Sequence, residues 1–164
     1  MLDDSRLVKA ANKKQSRRED ENKNMKIIKI QKEDIASVWY EIRELLKKPM
    51  IRSSTIERFP LDVLLSSLVS GEKQAWAIFD EKNNKTIVAF VTEKVNYPTG
   101  MAINLFLLGG ENIEAWRESL TICLFNYAKE SGAKWLDTYC RRGFSKILSD
   151  LNFTEESTHF SISI

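Results

Sequence analysis

The sequence is poor in the residues that build metal centres and disulfide frameworks. One histidine, His159, and two cysteines, Cys123 and Cys140, are all it contains. They stand far apart with no ligand spacing, which argues against a zinc site. Two isolated thiols fit a reducing compartment in which both stay free. No uninterrupted apolar run is long enough to cross a bilayer, and no charged n-region leads into an apolar h-region. A cytoplasmic protein without a membrane partner is therefore expected. Charge of one sign is also scarce: the formal net charge is +2. That argues against nucleic acid as the partner, because acids interleaved with the bases dilute counterion release. No internal repeat is present.

What is there suffices for one core. A chain of 164 residues, 43% hydrophobic and 29% charged, has the length and composition of a single globular domain. The composition breaks at residue 24. In residues 1–24, Arg6, Lys9, Lys13, Lys14, Arg17, Arg18 and Lys23 mix with Asp3, Asp4, Glu19, Asp20 and Glu21. Only Leu2, Leu7 and Val8 offer apolar anchorage. Ordering a residue costs about 1–2 kcal/mol of backbone entropy, which this segment cannot offset alone. It reads as a charged tail, either disordered or docked on a larger protein assembly through Leu2, Leu7 and Val8 as a short amphipathic helix. Residues 25–164 form the domain.

From Met25 the periodicity is regular. Residues 26–30 read as a strand. Residues 31–48 read as a helix, with Ile35, Val38, Trp39, Ile42, Leu45 and Leu46 at helical spacing and Pro49 as its stop. A second helix opens at Pro60 and closes at Gly71. Residues 74–79 and 86–95 form a hairpin around the polar turn 80–85, and residues 101–108 add a third strand. Gly109-Gly110-Glu111-Asn112 breaks that strand. Residues 113–130 form a long helix ended by Ser131-Gly132. Residues 134–140 are a strand, 141–151 a short helix, and Phe153 with alternating Phe160, Ile162 and Ile164 a last strand. Trp39, Trp76, Trp116 and Trp135 are expected in the core.

The order β-α-α-β-β-β-α-β-α-β, with Gly109-Gly110 between the fourth strand and a long helix, resembles the GNAT (GCN5-related N-acetyltransferase) superfamily. Ile147-Leu148-Ser149-Asp150-Leu151-Asn152-Phe153 is similar to its helix-to-strand signature. The expected fold is α/β: a GNAT-like mixed twisted sheet flanked by helices, with a charged N-terminal tail. The Gly-Gly break and the later Arg141-Arg142-Gly143-Phe144 also resemble the acetyltransferase-like proteins of short-tailed phages, some of them virion or morphogenesis components.

The superfamily resemblance implies that acyl-CoA pyrophosphate would lie on backbone N–H groups at the start of the long helix, here Gly109, Gly110, Glu111 and Asn112. The loop carries no base, and Glu111 sets a carboxylate where phosphate would lie, with Asn112 reading as a helix cap. The tyrosine that protonates the leaving thiolate in that family is matched by Leu148, and its glycine by Asn152. The remaining candidates for chemistry are Tyr139, Cys140 and His159, with Cys140 read as a buried structural thiol and His159 as a solvent-facing strand residue. Arg141 and Arg142 open a short helix where the dipole is already positive, a placement that suits an anion or a partner surface. The reading that follows is a GNAT-like domain with degenerate motifs that acts by protein binding, as a phage virion or assembly component in the cytoplasm, with no cofactor. Its alternative is an active acyl-CoA-dependent N-acetyltransferase using acetyl-CoA.

Overall fold

The chain is described by a computed structural model over residues 24–157, 161 and 162. Its centre is the hairpin that the alternation of residues 74–95 requires. β2 (Lys73–Asp80) and β3 (Lys85–Tyr97) pair antiparallel across a turn that Asp80 organises. The Asp80 carboxylate accepts hydrogen bonds from the Lys82 N–H (3.0 Å), the Asn83 N–H (3.2 Å) and Asn83 Nδ2 (2.6 Å). The Asn83 side chain leads in holding its carboxyl below the ordinary value. β1 (Met25–Lys29) flanks β2, and β4 (Gly100–Gly110) flanks β3, both antiparallel. β5 (Trp135–Thr138) joins β4 in parallel, so the five-stranded mixed sheet has the order β1-β2-β3-β4-β5.

Alternation divides the sheet into two faces. Ala75 and Ala77 of β2, Ala89 and Val91 of β3 and Leu107 of β4 share one of them. They lie beneath α1 (Ile35–Arg52) and α3 (Leu61–Ser70), which contribute Ile35, Ile42, Leu46, Met50, Leu64 and Leu68. Small residues on the strands let these helices approach closely. The other face carries Trp76, Ile78, Val88 and Phe90 against Trp116, Leu120 and Leu124 of α4 (Ile113–Glu130). Trp76 stacks on Phe90 with centroids 5.6 Å apart, and Tyr127 meets it edge-on at 4.9 Å. α4 stops at Gly132, whose φ of 73° only glycine adopts freely, and the Ala133 N–H closes on the Ala128 carbonyl.

Several expectations need correction. Pro49 does not end the first helix but lies inside α1, which runs three residues further. Proline has no N–H to give the Leu45 carbonyl. Gly109 sits against that carbonyl instead: a Cβ there would stand 2.0 Å from Leu45 O and 3.2 Å from Pro49 Cδ. Gly109 and Gly110 are not a strand break, since β4 continues through both, opposite Ala89 and Val88. A further short helix, α2 (Thr55–Arg58), follows α1 after Ser54 in the left-handed region. Residues 141–151 form a single turn, Arg142–Phe144, and then α5 (Ser145–Asp150), rather than one helix. The expected last strand falls largely outside the described residues, which include neither Phe160 nor Ile164; residues 153–157, which lead toward it, are irregular. Trp76 and Trp116 are buried and Trp39 packs at the core edge, but Trp135 is 41% exposed at the edge strand.

Candidate functional site

The face under α1 and α3 changes character along its length. Beyond Ala75, Val91 and Leu107, the next register row runs Lys73 (β2), Glu93 (β3), Asn104 (β4) and Asp137 (β5), each opposite the next. Four adjacent strands thus bring four polar side chains into line on one face. Lys73 and Asn104 are buried. The Lys73 ammonium pairs with Glu93 Oε2 and lies over the rings of Phe106 (4.5 Å) and Phe59 (5.1 Å). Asn104 Nδ2 donates to Glu93 Oε1 at 2.8 Å. Asn104 Oδ1 is buried and has no hydrogen-bond partner among the described residues, a state that costs about 1–3 kcal/mol. Asp137, half-buried, has its carboxyl pushed above its ordinary value, first by burial and then by the Glu156 carboxylate.

Aromatic side chains continue this face past the helices. Tyr97 and Trp135 meet edge-on at 5.9 Å, and Tyr139 is exposed. The Tyr97 phenol is raised by burial, then by Asp137 and Tyr139. The Lys134 ammonium lies 5.9 Å from the Trp135 ring centroid.

The row ends where two strands part. β4 and β5 are paired only from Ala102↔Trp135 to Leu105↔Thr138, and the Thr138 hydroxyl donates to the Leu105 carbonyl at 3.2 Å. Past that point β4 runs on to Gly110 without β5. At the same place the β3–β4 register slips: Thr92 faces Leu105 while Val91 faces Leu107, so Phe106 is a bulge. A bulge leaves its backbone groups out of the ladder, which is why bulges suit ligand sites. The carboxyl ends of parallel strands are also where open α/β sheets take ligands.

The residues singled out in the sequence lie at the end of β4, at the start of α4 and after β5. Gly110, like Gly109, is used in packing, since a Cβ there would stand 2.8 Å from Val88 Cγ2. Glu111 is exposed, 3.7 Å from the Lys48 ammonium, and its carbonyl accepts from Trp116 Nε1 at 2.8 Å. Asn112 stands at the N-cap of α4 but caps through no side-chain hydrogen bond. Its left-handed backbone (φ 55°) carries the turn, and its carbonyl accepts from the Ala115 N–H. Cys140 is exposed, not buried as expected, because β5 has already ended at Thr138. Burial of its sulfur and then Glu155 push the thiol up, so it is no low-pKa nucleophile. Arg141 is exposed with its guanidinium 5.9 Å from the Phe144 ring centroid, and Arg142 begins the turn after it. Leu148 lies in α5. Asn152, which stands where the resemblance places a glycine, is in the left-handed conformation at φ 66°, while Phe153 N–H bonds Leu148 O and Asn152 N–H bonds Ser149 O. His159, Leu2, Leu7 and Val8 lie outside the described residues.

Lys73, Glu93, Asn104 and Asp137 were not singled out by sequence reading. A signal existed: Glu93 and Asn104 each place a polar residue at an inward position of an otherwise apolar strand. The register that aligns them is a long-range property. Among the described residues no cluster of histidine, cysteine and carboxylate side chains could hold a metal ion, and no helix is long and apolar enough to cross a membrane.

No family model and no curated protein matches the sequence. Solved structures do match the fold. A predicted acetyltransferase from Clostridium acetobutylicum, solved with acetyl-CoA, is 14% identical, with a TM-score of 0.64 over 85% of this chain and 96% of that one. Glucosamine-6-phosphate N-acetyltransferase from Arabidopsis thaliana is 14% identical, at 0.63 over 85% and 97%. An aminoglycoside acetyltransferase from an uncultured soil metagenomic sample, solved with sisomicin, is 12% identical, at 0.63 over 87% and 98%. The fold is that of the GCN5-related N-acetyltransferases, a mixed sheet flanked by helices.

Proposed function

We propose that the protein is an acyl-CoA-dependent N-acyltransferase whose acceptor amine is deprotonated on the polar face by Asp137. The observation that carries this is the in-register row ending at Asp137, beside the Phe106 bulge and the parting of β4 from β5. A carboxylate whose proton affinity is raised by burial and a neighbouring carboxylate is a stronger base than an ordinary one. In the reaction the amine nitrogen bonds to the acyl carbon, its proton passes to Asp137, and the C–S bond breaks. The departing thiolate takes its proton from solvent, since Leu148 has none to give. The residues present fit the acyl donor in part. The backbone N–H groups at the start of α4 and the unpaired stretch of β4 could hold it, and Lys48 beside Glu111 offsets the carboxylate that would repel phosphate.

The test is thiol release from acetyl-CoA with a panel of primary amines. Turnover that falls about 100-fold or more in Asp137→Asn is the expected result. Absence of turnover, together with no acetyl-CoA binding by calorimetry near a micromolar dissociation constant (about −8 kcal/mol), would overturn it.

A second reading keeps the fold and discards the chemistry. Both glycines of the expected phosphate loop are used in packing and Leu148 cannot donate a proton, which favours a binding module. In that reading residues 1–24 dock it on a larger assembly such as a phage particle, with Arg141 and Arg142 as an anion or partner contact. Removing residues 1–24 then leaves a cooperative melt but abolishes assembly, and a truncated chain that assembles normally sinks it.

A further inference from the structure

Asn104 and Asp137 are direct register partners on parallel strands and lie on the same face. Neighbouring strands run about 4.8 Å apart, a spacing that two short side chains can bridge with one hydrogen bond. The orientation of the Asn104 amide is fixed from the other side. Glu93 Oε1 can only accept, so the group facing it must be Nδ2, and Oδ1 is left toward the remaining neighbours. Oδ1 is buried and has no donor among the described residues. A carboxylate cannot supply one, whereas a carboxylic acid can.

We infer that Asn104 is a positioning residue whose Oδ1 accepts a hydrogen bond from Asp137 only when Asp137 is protonated, so that the two form a built-in holder for one proton. Lys73 and Glu93 anchor the far end of the row and keep the amide from turning over. The hydrogen bond favours the neutral acid and so works in the same direction as the burial and Glu156 repulsion already acting on Asp137. The other titratable groups around it are Tyr97 from β3, Tyr139 just past the end of β5 and, further along the row, Glu93 and Lys73. If Asp137 is the base, Asn104 stabilises the state that follows proton transfer. That consequence rests on the acyl-transfer reading, but the hydrogen bond itself does not.

The test uses the full chain and Asp137→Asn, in which the Nδ2 group donates at every pH. Thermal melts above and below the Asp137 midpoint, taken from a carboxyl-carbon NMR titration, give the readout. Above the midpoint Asp137→Asn should raise Tm by about 3 °C or more, and below it the gain should vanish because the acid then donates by itself. The gain should survive in a Glu156→Gln background and disappear with Asn104→Leu. A gain that persists below the midpoint, is unchanged by Asn104→Leu, or is lost in Glu156→Gln would overturn the inference. Should Asn104→Leu fail to fold, the wild-type Asn104 side-chain amide resonance decides: it must titrate with the Asp137 midpoint, and a flat response is fatal. Wild-type turnover in an Asp137→Asn protein that shows the stability signature would leave the hydrogen bond standing and remove the acyl-transfer reading instead.

Discussion

Two halves of one sheet face differ in almost every respect. Under α1 and α3 the strands show Ala75, Ala77, Ala89, Val91 and Leu107, all buried, small or aliphatic. Next to them the same strands show Lys73, Glu93 and Asn104, with Asp137 on β5 and the rings of Tyr97, Trp135 and Tyr139 beyond. The first half is explained by packing alone. The second keeps a buried ammonium, a carboxylate and an orphaned amide oxygen, none of which packing requires. Polar residues on an inward strand face are therefore the first place to test for chemistry, ahead of the Gly109-Gly110 segment.

The contrast can be broken or sharpened experimentally. The largest expected effect is at the dry end. Gly109→Ala drives a Cβ into the Leu45 carbonyl, a backbone atom that cannot step aside, and should cost about 4 kcal/mol or more in chemical denaturation. Next comes the ion pair. Lys73→Met strands the Glu93 carboxylate and should cost about 3 kcal/mol, while Lys73→Met with Glu93→Met should recover most of it. A double variant no better than the single would mean the row is held by something other than the pair. Trp135→Ala, on the open half, should cost no more than about 1 kcal/mol in stability and, on the acyl-transfer reading, should raise the KM for an amine acceptor. Equal stability costs at Trp135 and at buried Leu46 would erase the distinction between the halves. The wild-type chain has a pH signature of definite sign. The Asp137 pKa is raised on folding, so the native state binds more protons between the unfolded and folded values. Asp137 therefore makes stability fall as pH rises through that window, and urea melts should lose this slope in Asp137→Asn. The smallest effect is Glu111→Gln, which removes only an exposed pair with Lys48 and should stay within about 0.5 kcal/mol.

Much of the fold was legible because it is written locally. The hairpin, β4, α4 and the α3 boundaries follow from alternation, helical spacing and the stops at Gly71 and Gly132. Pro49 misled because a proline inside a helix reads locally as a stop, whereas α1 is held by its packing on the sheet, with Gly109 of β4 against the freed Leu45 carbonyl. Gly109-Gly110 misled for the mirror reason: glycine spacing signals close approach without saying what approaches. The polar row was hidden because Lys73, Glu93, Asn104 and Asp137 are neighbours only after four strands are aligned, two of them through a one-residue slip at Phe106.

The meeting of Pro49 and Gly109 has a consequence for how this sequence can change. A side chain at 109 is forbidden while α1 stays where it is, and restoring an ordinary residue at 49 would return the Leu45 carbonyl to its own helix. The two positions are therefore epistatic, and substitutions at one should be read only against the state of the other. A library that varies Gly109 alone should record a dead position, and one that varies both positions together measures the coupling between them directly.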